Sequence, residues 1–195
     1  MKKAVLILII MSSFAFTTFE MFNDTSVLIT PESQLLIKGK TNVSKFKCEF
    51  NINQINEPIP LYYQLVNNKM VFEKAKLKLD NQCFDCGSRG INKDFRALLK
   101  SEDYPEIELH LKEIKNIKTN PSQVNALLEL HIAGKSNSYQ MPLTIDNSQD
   151  ICVSGLLKLN ITDFDLVAPK KALGLVVVSD EIEINFQLIF KELKN

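Results

Sequence analysis

From Val124 to Ile132 the apolar residues Val124, Ala126, Leu128, Leu130 and Ile132 fall on every second position, with Asn125, Glu129 and His131 between them. A period of two is the pattern of a strand buried on one face, because successive side chains point to opposite sides of the chain. The same alternation recurs in Phe46, Cys48, Phe50 and Ile52, and in Ala75, Leu77 and Leu79 between Lys74, Lys76 and Lys78. It returns in Ile107, Leu109 and Leu111, and again in Ile182, Ile184, Phe186, Leu188 and Phe190. Further strands are expected over residues 35–38, stopped by Gly39, over 139–145, where Pro142 suits an edge or a bulge, and over 152–161. Residues 106–117 and 124–133 flank a turn at 119–123 and read as a hairpin. Ile114 is out of phase with Leu111, which predicts a bulge near Lys112 and Glu113.

One segment breaks the strand period. Ile91, Phe95, Leu98 and Leu99 recur at i, i+4, i+7 and i+8, one face of a short helix that ends before Tyr104, because Pro105 pushes the preceding residue into extended backbone. About eight strands and one helix predict an all-β, closed antiparallel barrel rather than a sandwich. The faces opposite the apolar rows carry Lys74, Lys76, Lys78, Glu106, Glu108 and Glu183, charges that cannot face lipid, so the barrel presents them to water. Its interior is either filled or hollow, and the pattern allows both.

The 195 residues fit a single domain, and 23 basic against 23 acidic residues, with no basic block, leave no electrostatic footprint for nucleic acid. MetLysLys followed by an apolar run over residues 4–16 has the form of a secretory signal, too short for the ~20 residues of a spanning helix. Residues 1–20 are therefore expected to be a signal peptide and 21–195 a periplasmic or secreted domain, with no stable membrane insertion after export. The first cysteine, Cys48, lies too late for lipid attachment at a mature N-terminus.

Residues 92–109, AsnLysAspPheArgAlaLeuLeuLysSerGluAspTyrProGluIleGluLeu, resemble the segment of YceI-like proteins in which a short Asp-initiated helix ends in a TyrPro that opens a strand. SerGlyLeuLeuLysLeuAsnIleThrAspPheAspLeu, then GlyLeuValValValSerAspGluIleGluIleAsnPhe, resemble that family's penultimate strand and final hairpin, and the similarity spans about residues 30–192. The resemblance implies a lipocalin-like eight-stranded barrel whose apolar channel holds a polyisoprenoid or a similar long-chain amphiphile, such as a fatty amide. The candidate lining is then the inward rows: Phe46, Phe50, Leu77, Leu79, Leu109, Leu111, Leu130, Ile132, Ile184, Phe186 and Leu188. Two departures stand out. The helix segment is shorter and lacks the aromatic pair of many members, and the four cysteines exceed what most members carry.

Cys83 and Cys86 form CxxC, but GlySerArgGly separates Cys86 from the helix, so no helix dipole stabilises a thiolate there. In an oxidising compartment Cys48, Cys83, Cys86 and Cys152 more simply make disulfides, and strand parity favours Cys48 with Cys83 and Cys86 with Cys152 among three connectivities. His110 and His131, on outer faces of adjoining strands, stand directly opposite one another if the hairpin is centred between Asn120 and Pro121. With Glu129 or Glu108 they could hold a surface metal, yet solvated surface residues are the simpler reading, since nothing in the pattern encloses them. Arg89 and Arg96, the only arginines, flank the helix that could cover the barrel mouth, making Arg96 a candidate headgroup contact. Asp163, Asp165, Asp180 and Glu181 read as turn formers. No nucleophile motif, phosphate loop or interior carboxylate pair is visible, so no enzyme, cofactor or resident metal is expected. The rival reading is a disulfide-stapled β-domain with a filled core, acting as a scaffold or interaction module. A thiol oxidoreductase is a third, and a homodimer is compatible with each.

Overall fold

The structure, a computed structural model, describes residues 22–171 and 175–193, so the expected signal peptide lies outside the described residues. In chain order it contains β1 (Phe22–Ile29), β2 (Gln34–Lys40), β3 (Lys45–Phe50), β4 (Ile59–Val66), β5 (Lys69–Lys74), β6 (Lys76–Asp80) and β7 (Phe84–Asp85). Helix α1 (Arg89–Leu98) follows, then β8 (Glu106–Lys115), β9 (Gln123–Ile132), β10 (Lys135–Asp146) and β11 (Ile151–Asn160). Two short strands, β12 (Lys170–Lys171) and β13 (Val176–Val177), precede the long β14 (Glu181–Leu193).

Eight of these strands close a hydrogen-bonded ring in the order β1, β4, β5, β8, β9, β10, β11 and β14, with β14 pairing back onto β1. The antiparallel eight-strand ring with one helix is the architecture that the alternation predicts. β14 is long enough to serve two partners along one edge: its end from Phe190 to Leu193 pairs with β1, and Glu183 to Gln187 pairs with β2. Ser33 secures the break between β1 and β2, its hydroxyl accepting from Ile189 N at 2.8 Å. Likewise β5 and β6 share β8, β5 against Glu113–Lys115 and β6 against Glu106–His110.

Several expectations need correction. Gly39 does not stop a strand; β2 runs through it, and the Phe46 ring covers it so closely that a Cβ there would clash with Phe46 Cζ. Ile52 leaves the strand row and is buried in a 3-10 turn, Ile52–Gln54. β1, β4 and β5 were not foreseen. The bulge is where the phase shift places it, between Leu111 and Glu113, but the pairing sets His110 opposite Glu129 and His131 opposite Glu108. The extra β8 residue and a turn centred earlier than expected move the two histidines from opposed to diagonal. Pro142 sits just past Leu143, where the β10–β11 ladder ends, so it withdraws no donor from that ladder.

The disulfide is Cys48–Cys86, and Cys83 and Cys152 are free thiols. Parity failed because Cys83 lies in a 3-10 turn, Asn81–Cys83, where strand alternation does not hold. β7 then pairs with β3 through Glu49 opposite Asp85, so the next residue outward, Cys86, arrives beside Cys48. This loop is tied to the helix: Asn92 accepts from Cys86 N at 2.6 Å and donates to Asp85 at 3.1 Å. Ser88 caps α1 by accepting from Ile91 N at 3.3 Å. Ile91, expected on the buried face, is 39% exposed, whereas Phe95 and Leu98 are half-buried and Leu99 is buried. Buried Asn81 docks the chain beyond the helix, donating to Tyr104 O at 2.8 Å.

Candidate functional site

The inward rows enclose an apolar cavity of about 550 Å³. Leu77, Leu109 and Leu130 face each other across β6, β8 and β9, and Ile37, Ile184 and Leu157 do the same across β2, β14 and β11. One end is tight: Leu79, Phe84, Leu99, Ile107, Ile132, Leu159, Ile161 and Phe164 are all buried. Phe95, Leu98 and Leu99 of α1 line that end, so the helix acts as a plug. Midway along, Leu109, Ile184 and Phe186 point inward yet are only half-buried, because open space rather than side chains faces them, and Leu77 and Leu111 are half-buried between the cavity and a cleft on the ring's flank. Toward the other end the lining reaches Thr25, Asn147 and Glu192, and the exposure of Asn147 and Glu192 places the mouth there.

The sequence-predicted lining is largely brought together. Phe46, Leu77, Leu79, Leu109, Leu111, Leu130, Ile132, Ile184, Phe186 and Leu188 all border the cavity. Phe50 does not; it borders a lateral cleft of about 650 Å³ that adjoins the cavity, the two sharing Ile59, Phe72, Ala75, Lys76, Leu77 and Leu111 as wall. Arg96 borders neither and sits half-buried in the last turn of α1. The wall that the sequence reading missed is β4 and β5, which contribute Leu61, Tyr63, Met70 and Phe72. The only signals for it were the aromatic pair Tyr62–Tyr63 and the run Met70–Phe72.

The lateral cleft arises because β3 ends at Phe50 and β4 begins at Ile59, leaving one edge of β6 without a partner among the described strands. Lys74, Lys76, Lys78, Glu57, Glu73 and Asp80 line it, charges that discourage another chain from pairing with that edge. Outside the ring, cross-strand ion pairs join Lys76 to Glu108 at 2.9 Å, Lys78 to Glu106 at 2.7 Å and Lys112 to Glu129 at 2.7 Å. The hydrogen bond from Lys76, helped by His110, holds the Glu108 carboxyl down at about 2 against the opposing effect of burial. Most of the charged groups thus lie outside the ring, and among the described residues Lys76 and Glu192 are the charged ones that border the cavity.

The CxxC does not form a dithiol pair, since Cys86 is bonded to Cys48. Burial, with a smaller contribution from Asp80, raises the Cys83 thiol above its ordinary value, the reverse of what thiolate chemistry needs.

Comparison with solved structures returns the same fold at low identity. BcnA from Burkholderia cenocepacia superposes with a TM-score of 0.57 at 19% identity, covering 81% of this chain and 96% of that one. A polyisoprenoid binding domain from Saccharophagus degradans, implicated in plant cell wall breakdown, gives 0.60 at 14% identity over 87% of this chain and 98% of its own. A YCEI protein from Campylobacter jejuni gives 0.52 at 18% identity, with 64% and 74% covered. Comparison with curated protein sequences finds no match. The family model for the YceI-like domain matches residues 63–190, which takes in the ring from β4 through β14 together with the helix plug. The ring, the plug and this match agree, and the chain belongs to the YceI-like domain family.

Proposed function

We propose that this protein binds a long-chain apolar lipid, a polyisoprenoid or similar amphiphile, in the ring cavity and carries it outside the cytoplasm. The observation that carries this reading is the hollow, nearly uncharged interior, whose volume of about 550 Å³ is that of a small-molecule site. A core filled by its own side chains would leave Leu109, Ile184 and Phe186 buried, and they are only half-buried. The polyisoprenoid binding domain from Saccharophagus degradans, with the same fold, supports the choice of ligand class. The Cys48–Cys86 disulfide supports export, because such bonds persist in oxidising compartments.

Binding by such a wall is non-directional. It draws on apolar area removed from water, so chain length, more than chain identity, sets affinity. The test is a fluorescence titration with a series of dansyl-labelled amphiphiles of increasing chain length. Affinity is expected to rise by up to about fourfold per added methylene, the equivalent of ~0.8 kcal/mol, and then to level off once the cavity is full. Affinity independent of chain length would remove the proposal.

A further inference from the structure

Outside the ring, away from the cavity, β8 and β9 bring His110, Glu129 and His131 together, with one ligand atom from each residue lying within 4.8 Å of the other two. We propose that these three side chains form a binding site for a divalent first-row transition metal ion, zinc or copper in class, with Glu108 beside it. This is independent of what the cavity holds.

The register creates the site. Because His110 pairs with Glu129 and His131 with Glu108, each imidazole has one carboxylate across the ladder and another two residues away on its own strand. The diagonal histidines draw together, with ring centroids 4.4 Å apart. Two imidazoles and a carboxylate form a donor set that suits Zn(II), Cu(II) or Ni(II), whereas all-oxygen sites suit magnesium or calcium.

Three observations favour a ligand there over a merely solvated patch. The His131 Nε2 atom is buried and has no hydrogen-bond partner among the described residues, with Glu129 Oε1 standing 3.6 Å away. A buried nitrogen left without a partner is uncommon and marks a place where an ion or water belongs. The second observation is the division of labour at Glu129: Lys112 holds Oε2 at 2.7 Å, which fixes the carboxylate and leaves Oε1 toward the histidine. Third, His110 Nε2 lies 3.1 Å from Glu108 Oε2, which Lys76 also holds at 2.9 Å, so the imidazole is oriented by a carboxylate that is itself anchored. A carboxylate that orients a ligating histidine is a recurrent feature of metal sites. Ligand atoms at ~2.1 Å from a tetrahedral ion stand about 3.4 Å apart, so side-chain rotation of about 1 Å closes the site. The fourth position is left to water.

The experiment is isothermal titration of untagged, metal-stripped protein with Zn(II), paired with electron paramagnetic resonance of its Cu(II) complex. The expected result is one ion per chain, Cu(II) held more tightly than Zn(II), and hyperfine structure from two imidazole nitrogens. His110→Ala and His131→Ala should each weaken Zn(II) at least tenfold and reduce the copper spectrum to one nitrogen. Glu129→Gln should weaken binding while keeping both. All three positions lie on the outer face, and circular dichroism verifies that the variants remain folded. Zn(II) binding unchanged in the doubly substituted His110→Ala, His131→Ala protein, or absent from the parent up to millimolar ion, would overturn the assignment.

Discussion

Tryptophan placed at both Leu109 and Ile184 is expected to weaken binding of long-chain lipid at least tenfold while changing the Tm by no more than about 4 °C. The two residues stand on β8 and β14, opposite walls of the eight-strand ring, and each lies one inward position from the plugged end, next to Ile107 and Ile182. Both are half-buried with their side chains toward the cavity. Two indoles projecting from opposite walls at that level would take up the space an acyl or prenyl tail needs. In a close-packed core the same enlargement forces strained rotamers and costs roughly 1–3 kcal/mol per site. Here open space takes the added volume, so stability and binding separate. Calorimetry of the folded variant with the dansyl titration measures both. A large fall in Tm would mean that the interior is packed, and full affinity in a stable variant would mean that the lipid binds elsewhere.

Removing the Cys48–Cys86 bridge should destabilise the protein by about 4 kcal/mol, or roughly 8–16 °C in Tm. The bond closes a 38-residue separation and joins β3 to the loop that introduces the helix plug. Cys48 is fully buried and Cys86 is 5% exposed, so substitution to alanine, which adds no buried hydroxyl, isolates the loss of the crosslink. Reduction of the parent protein should reproduce the shift seen in the doubly substituted Cys48→Ala, Cys86→Ala variant. Cys83→Ala with Cys152→Ala removes only free thiols and should shift Tm much less. Differential scanning calorimetry decides it; equal losses from the two pairs would contradict the observed connectivity. Because the bridge braces the plug, its loss should also shorten the residence time of bound lipid.

How much of this was legible in the sequence depended on how cleanly each strand alternates. β9, β14 and the first half of β8 keep strict alternation, with the inward row buried in β9 and mostly half-buried in the other two, and the pattern locates all three strands and the bulge after Leu111. β1 escaped because Asn23, Asp24 and Thr25 dilute its start, and only Val27 and Ile29 are buried. β4 and β5 escaped for a related reason: an irregularity between Tyr62 and Tyr63 breaks the phase. Their turn also lacks glycine, since Asn67 adopts the left-handed region with φ 56°. Of the eleven apolar residues read as lining, all but Phe50 border the cavity, because every inward apolar row of a ring borders its interior. That the interior is hollow was not legible, since filled and empty rings share the same alternation. The cysteine pairing failed for want of one fact, the short β3–β7 ladder, which two residues of extended chain do not announce. The histidine pair was seen, but its diagonal geometry depended on a register that only the folded hairpin defines.

Whether the ring holds a long-chain lipid is decided by native mass spectrometry of the protein purified from an exporting host. With lipid in the ring, the spectrum holds a population heavier than the polypeptide by the mass of one long-chain lipid, released by chloroform and identifiable in the extract, and lost from the Leu109→Trp, Ile184→Trp variant. A spectrum showing only the bare polypeptide, from protein that also takes up no lipid when incubated with isoprenoid or fatty amide, would contradict lipid binding in the ring.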